Sequence, residues 1–172
     1  AQEYQDRGNI GVAYTYNEPL VGYEFVRDTT RLVRERGMKN VLVTNGCAEL
    51  SVLEELLPYV DAMNIDLKGF TGEWYEKLGG DLETVKRFIA RAAQDCHVEL
   101  TTLIVPGEND SEEEMEREAS WIASLDREIP LHVTRFFPQY RMADKAPTPV
   151  ERVYRLRNTA AQWLRYVYVG NC

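Results

Sequence analysis

The sequence predicts an α/β fold of parallel strands alternating with helices. Three observations carry this. Short apolar runs alternate with amphipathic stretches at helical spacing along all 172 residues. Glycine, proline or a capping residue separates most of them. The unusual polar residues fall just after the apolar runs, where parallel α/β folds gather their ligand-binding groups.

Ile10-Gly-Val-Ala-Tyr-Thr15 reads as the first strand. A helix follows from Leu20 to Arg36, with Tyr23, Val26, Thr30 and Val33 at three- and four-residue steps. Gly37 sits where a C-terminal cap belongs. Val41 to Thr44 is the second strand, and Glu49 to Leu57 a helix stopped by Pro58. Ala62 to Leu67 is the third strand. Thr71 to Leu78 is a short helix, and Asp81 caps another that runs to about Gln94. His97 to Val105 is the fourth strand. Ser111 caps a helix to Leu125, with Glu114 completing a capping box. Leu131 to Phe137 is the fifth strand, Val150 to Leu164 a helix, and Tyr166 to Val169 the sixth strand. Strands in this order need crossover helices, as in an open parallel sheet or a (β/α) barrel.

Composition narrows the function. With 44% hydrophobic residues the chain can bury a core. Its 28 acidic against 20 basic side chains leave a formal charge of −8, which argues against nucleic acid or an anionic membrane as partner. No apolar run reaches the roughly 20 residues of a membrane span. Cys47, Cys96 and Cys172 are odd in number and widely spaced, which suits a reducing, cytoplasmic compartment better than a disulfide framework.

Several residues at strand ends can carry chemistry. Glu18, between Asn17 and Pro19, can present a carboxylate to an ammonium group or cap the next helix. Thr44-Asn45-Gly46 is either an ordinary turn or a place where a ligand approaches backbone. Asp66 and Lys68 stand two apart, so they share a face with Asn64. They form a rim ion pair, a ligand contact or, through Lys68, a Schiff-base nucleophile. Of Thr101 and Thr102 one faces inward. Arg135, among aromatic residues, can clamp a carboxylate or phosphate, or pair with Asp66. The Glu112 to Glu118 run reads as a solvated helix face, and Asn109-Asp110-Ser111 as a turn and cap. His97 and His132 read as structural, and Cys47 and Cys96 as small buried residues.

Five segments then stand in a familiar order: Tyr14-Thr-Tyr-Asn-Glu-Pro19, Val43-Thr-Asn-Gly46, Asn64-Ile-Asp-Leu-Lys68, Thr101-Thr-Leu-Ile-Val-Pro-Gly107 and Arg135-Phe-Phe-Pro-Gln-Tyr140. The set resembles radical S-adenosylmethionine (radical SAM) enzymes of the pyruvate formate-lyase activating enzyme type. It looks closest to the radical SAM member of the AmmeMemoRadiSam system. The resemblance implies a partial (β/α)6 TIM-like barrel in one domain. It implies that Asn17 and Glu18 grip the methionyl amino group, with Thr44 and Asn45 near its carboxylate or the ribose. It places Asp66 and Lys68 near the cofactor and the reacting target, Thr101 as a cofactor contact, and Tyr140 at the adenosine end. Arg135, by its own reading as an anion clamp, is expected to bind the substrate.

It further implies an oxidoreductase whose [4Fe-4S] cluster cleaves S-adenosylmethionine so that a hydrogen atom is abstracted. The target would be a glycyl-radical enzyme or another substrate, served by an electron donor. That cluster needs Cys-x3-Cys-x2-Cys, and the three cysteines here do not form it. The expectation is that the first strand and cluster loop precede Ala1, that the chain continues beyond Cys172, and that this chain alone is inactive. Such a barrel has an open sheet edge. The alternatives are a cluster-free Schiff-base enzyme using Lys68 and a non-catalytic binding domain.

Overall fold

The computed structural model describes residues 2–172. Six parallel strands alternate with helices, as the sequence predicts. The residues group into two compact units. The first runs to Ile65 and adds Glu83–Val98; the second is Asp66–Leu82 with Glu99–Cys172.

The first unit begins with β1 (Gly11–Tyr14), two residues shorter than the apolar run suggests. The helix expected from Leu20 is divided. Pro19, which has no N–H, opens a 3-10 turn over Pro19–Gly22, and α1 follows as Tyr23–Glu35. Val26, Thr30 and Val33 are buried as their spacing requires. Tyr23 is not: its hydroxyl leaves the core to meet the Glu55 carboxylate. The Gly37 N–H closes the helix on the Arg34 carbonyl at 2.9 Å, in the left-handed conformation (φ 67°) that favours glycine.

β2 (Lys39–Thr44) buries Asn40, Leu42 and Thr44 on alternate positions. It lies parallel to β1, with Gly11 opposite Lys39 and Tyr14 opposite Leu42. On its other side Val41 to Thr44 pair with Ala62 to Ile65 of β3 (Ala62–Asp66). α2 (Leu50–Leu56) intervenes, and α4 (Leu82–Ala92) brings Val85, Phe88 and Ile89 into the core. Asn40 pins this core. It accepts from the Tyr14 hydroxyl at 2.9 Å and donates to the Thr30 and Tyr59 carbonyls, each at 2.9 Å. Burial pushes the Tyr14 phenol up to about 12.

The second unit holds α3 (Gly72–Leu78), capped by Thr71, and β4 (His97–Ile104), whose first two residues belong to the first unit. α5 (Glu112–Leu125), β5 (Leu131–Arg135), α6 (Val150–Ala160) and β6 (Val167–Gly170) complete it. β5 runs parallel to β4, Leu100 opposite Leu131 and Ile104 opposite Arg135, and parallel to β6, Leu131 opposite Val167. α6 stops at Ala160, short of Leu164, because the chain turns at Ala161–Trp163. Leu100, Met115, Ile122, Leu131, Val133 and Leu156 form the sheet–helix core. Fully burying such a side chain contributes about 1.5–3 kcal/mol.

Candidate functional site

In the first unit the chemistry centres on Glu18, at the turn that leaves β1. Its Oε1 accepts from the Leu20 N–H at 3.1 Å and from the Thr44 hydroxyl at 2.7 Å. Its Oε2 accepts from the Asn45 N–H at 2.7 Å. Glu18 thus caps the turn, as one reading of the sequence has it, and its carboxylate is also held by the end of β2. A carboxylate offers about four lone-pair directions. Three have donors here, and one, on Oε2, has no donor among the described residues. Asn17 is exposed beside it. Glu18 also lines a groove of about 430 Å³ along β1, walled by Val12, Tyr14, Pro19, Phe25 and Val26.

The loop after β2 is held tightly. The buried Thr44 hydroxyl accepts from the Gly46 N–H at 3.2 Å, and Asn45 Oδ1 accepts from the Cys47 N–H at 2.8 Å. Gly46 sits against the core. Its φ is 67°, and a Cβ would lie 3.0 Å from Ile65 and 3.5 Å from Phe88, so core packing requires glycine.

In the second unit Asp66 ends β3, and Lys68 lies two residues beyond it. Lys68 Nζ sits 2.7 Å from Asp66 Oδ2, with both side chains more than a third exposed. The pair therefore adds only about 0–1 kcal/mol to stability. The main chain at Lys68 is far better held. Its N–H donates to the Tyr75 hydroxyl at 3.1 Å, and its carbonyl accepts from the Trp74 indole at 2.8 Å and from Asn109 Nδ2 at 2.9 Å. Asn109, read from sequence as a turn residue, is buried. It also donates to the Leu103 carbonyl at 2.9 Å and accepts from the Val105 N–H at 2.7 Å.

Thr101 is half-buried on β4, opposite His132. Arg135 Nε donates to the Thr148 carbonyl at 2.7 Å, and its guanidinium lies 4.6 Å from the centre of the Phe137 ring. Asp66, the partner weighed for it, pairs with Lys68 instead. Tyr140 is 84% exposed, with the Arg141 guanidinium 5.3 Å from its ring centre.

Three sequence expectations need correction. The Glu112–Glu118 run is a solvated face only in part: Glu112, Glu113, Glu116 and Arg117 are exposed, but Glu114 and Glu118 are 5% and 1% exposed. They share a helical stripe with Met115, Ala119 and Ile122, which could have revealed them. Burial pushes Glu118 up to about 8; the Thr102 hydroxyl, bonded to it, pulls the other way. Glu114 is also raised by burial. Secondly, the capping box is half made. Ser111 accepts from the Glu114 N–H at 3.1 Å, but the Glu114 carboxylate reaches the Phe70 N–H at 2.6 Å. Thirdly, Cys47 is exposed, because α2 begins only at Leu50 and the loop before it faces outward. Cys96 is half-buried, and burial pushes its thiol up to about 11. His132 is structural as expected, but not isolated: Nε2 is 2.7 Å from Glu99 and its ring stacks on Tyr168.

Among the described residues no group of three His, Cys, Asp or Glu could hold a metal ion. An iron–sulfur cluster is held by several cysteine thiolates brought close together, and among the described residues the cysteines form no such group. The cysteines present here do not fit a cluster. Nor is any helix among these residues long and apolar enough to cross a membrane.

Comparison with known proteins agrees with the fold. Residues 1–119 match the family model of the radical SAM superfamily. An uncharacterised protein of Methanocaldococcus jannaschii is 44% identical over 165 residues, covering 94% of this chain and 49% of its own length. Pyruvate formate-lyase 1-activating enzyme of Escherichia coli K12 is 30% identical over 67% of this chain and 49% of its own. Among solved structures, a domain of pyruvate-formate lyase-activating enzyme from Bacteroides vulgatus superposes with a TM-score of 0.79 at 20% identity, covering 94% of this chain and 99% of that one. The chain spans about half the length of these curated relatives. It belongs to the radical SAM superfamily, whose members use S-adenosylmethionine and a [4Fe-4S] cluster.

Proposed function

We propose that this chain is the S-adenosylmethionine-binding portion of a radical SAM enzyme of the activating-enzyme type, working in the reducing cytoplasm. One observation carries the reading: three donors, from the turn after β1 and the end of β2, converge on Glu18 and leave one acceptor direction without a donor among the described residues. That direction suits the methionyl ammonium, a charge-assisted contact. Thr44 and Asn45 hold the carboxylate in place, and Asn17 lies beside it. The cofactor, when bound, supplies the radical chemistry; the chain binds and orients it.

In the second unit, Thr101 and Tyr140 keep the cofactor-contact roles the resemblance implies. Asp66 and Lys68 serve the cofactor and the target, and Arg135 the substrate. Arg135 has its Nε engaged and keeps its two terminal nitrogens for that task. The target class proposed for the whole protein is a glycyl residue of a partner enzyme, served by an electron donor. Support comes from the activating-enzyme relatives.

Calorimetric titration of S-adenosylmethionine tests the reading. Glu18→Ala should weaken binding at least tenfold, the loss of one hydrogen bond to a charged group. Equal affinity in both proteins would overturn the role assigned to Glu18.

A further inference from the structure

Beside Lys68, wholly within the second unit, lies a hollow of about 230 Å³. That is far more than the ~30 Å³ share of one water. Trp74 and Leu78 of α3 form one wall, Leu103 and Val105 at the end of β4 another, and Phe136 and Met142 close it. Trp74, Val105 and Phe136 are buried as one cluster, with Met142 packed on it. Leu78 and Leu103, each 39% exposed, mark the mouth.

The walls offer little to a polar ligand. The Trp74 indole N–H is spent on the Lys68 carbonyl, and that carbonyl also receives Asn109. The one charged residue lining the hollow is Lys68. An ammonium has three donor hydrogens, and Asp66 takes one. We propose that this hollow binds a ligand with an apolar body and an adjoining anionic group, the body against Trp74 and Phe136 and the anion on Lys68. Burial of the body drives binding in proportion to its apolar area, and the charge-assisted contact fixes its direction. Calling the occupant the enzyme's substrate rests on the function proposed above; the binding itself does not.

The probe is 4-phenylbutyrate, titrated into the chain while indole N–H resonances are followed by NMR. The chain has three tryptophans, Trp74, Trp121 and Trp163, so two serve as controls. The Trp74 signal should move saturably while the other two stay. Lys68→Met keeps the aliphatic stem and removes the charge, and should weaken binding roughly tenfold or more. Unmoved Trp121 and Trp163 signals in that variant show that the fold is kept. No movement of Trp74, equal movement of all three signals, or undiminished binding by Lys68→Met would overturn the proposal. Because the titration contains no S-adenosylmethionine, it can succeed while the cofactor reading fails, and the reverse.

Discussion

Each unit contains a carboxylate bonded to a threonine hydroxyl, and the two are put to opposite uses. In the first unit Glu18 stands at a strand end and receives the Thr44 hydroxyl together with two backbone N–H groups. In the second, Glu118 is shut between β4 and α5 with the Thr102 hydroxyl, and burial pushes it towards the neutral form. The contrast teaches that a threonine partner by itself says nothing about function. Exposure and the number of converging donors separate a carboxylate that can meet a ligand from one that belongs to the core.

The largest expected effect is on the buried member. Glu118→Ala removes packed atoms and orphans the Thr102 hydroxyl, and should cost about 2–5 kcal/mol in urea unfolding. A loss below the resolution of that measurement would break the comparison. Glu118 should also make stability pH-dependent. Its folded pKa is raised from 4.5 to about 8, so the folded chain binds the proton more tightly than the unfolded one. Stability is then greatest at and below about pH 4.5 as far as this group is concerned, and falls as pH rises towards 8. The span is on the order of a few kcal/mol. Glu118→Gln mimics the neutral acid and should flatten that slope; an unchanged slope would contradict the assignment.

Asn109→Ala comes next. It removes three hydrogen bonds from a buried amide, an expected loss of about 2–3 kcal/mol in the same unfolding assay. Glu18→Gln should have the smallest effect on stability, about 1 kcal/mol or less, as for a weakened cap. Its effect belongs in ligand binding, and a large drop in melting temperature would make Glu18 a second structural carboxylate.

The sequence made the half-buried member of this pair easier to recognise than the fully buried one. Glu18 is preceded by an apolar strand and followed by proline, so its place at a strand end follows from local rules. Val41-Leu-Val-Thr44 and Ala62 to Leu67 likewise announce strands by their apolar runs. Glu118 lies within a run of acids, where composition suggests solvent. Only the phase of Met115, Ala119 and Ile122 shows that it faces inward. Asn109 was harder still, since its partners Lys68 and Leu103 are 41 and 6 residues away and its Pro-Gly-Glu-Asn-Asp context suits a turn. The missed reach of Glu114 to Phe70, 44 residues distant, has the same cause. Local pattern tells where a side chain points along its own element, whereas long-range polar partners depend on the assembled fold.

The most direct test of the Glu18 assignment uses the two amides that donate to its carboxylate, Leu20 and Asn45. S-adenosylmethionine is titrated into the chain and into Glu18→Gln while these N–H resonances are followed by NMR. The account predicts saturable shifts of both amides in the native chain and at least tenfold weaker binding in the variant. Amides that stay in place, or equal titration curves in the two proteins, would contradict it.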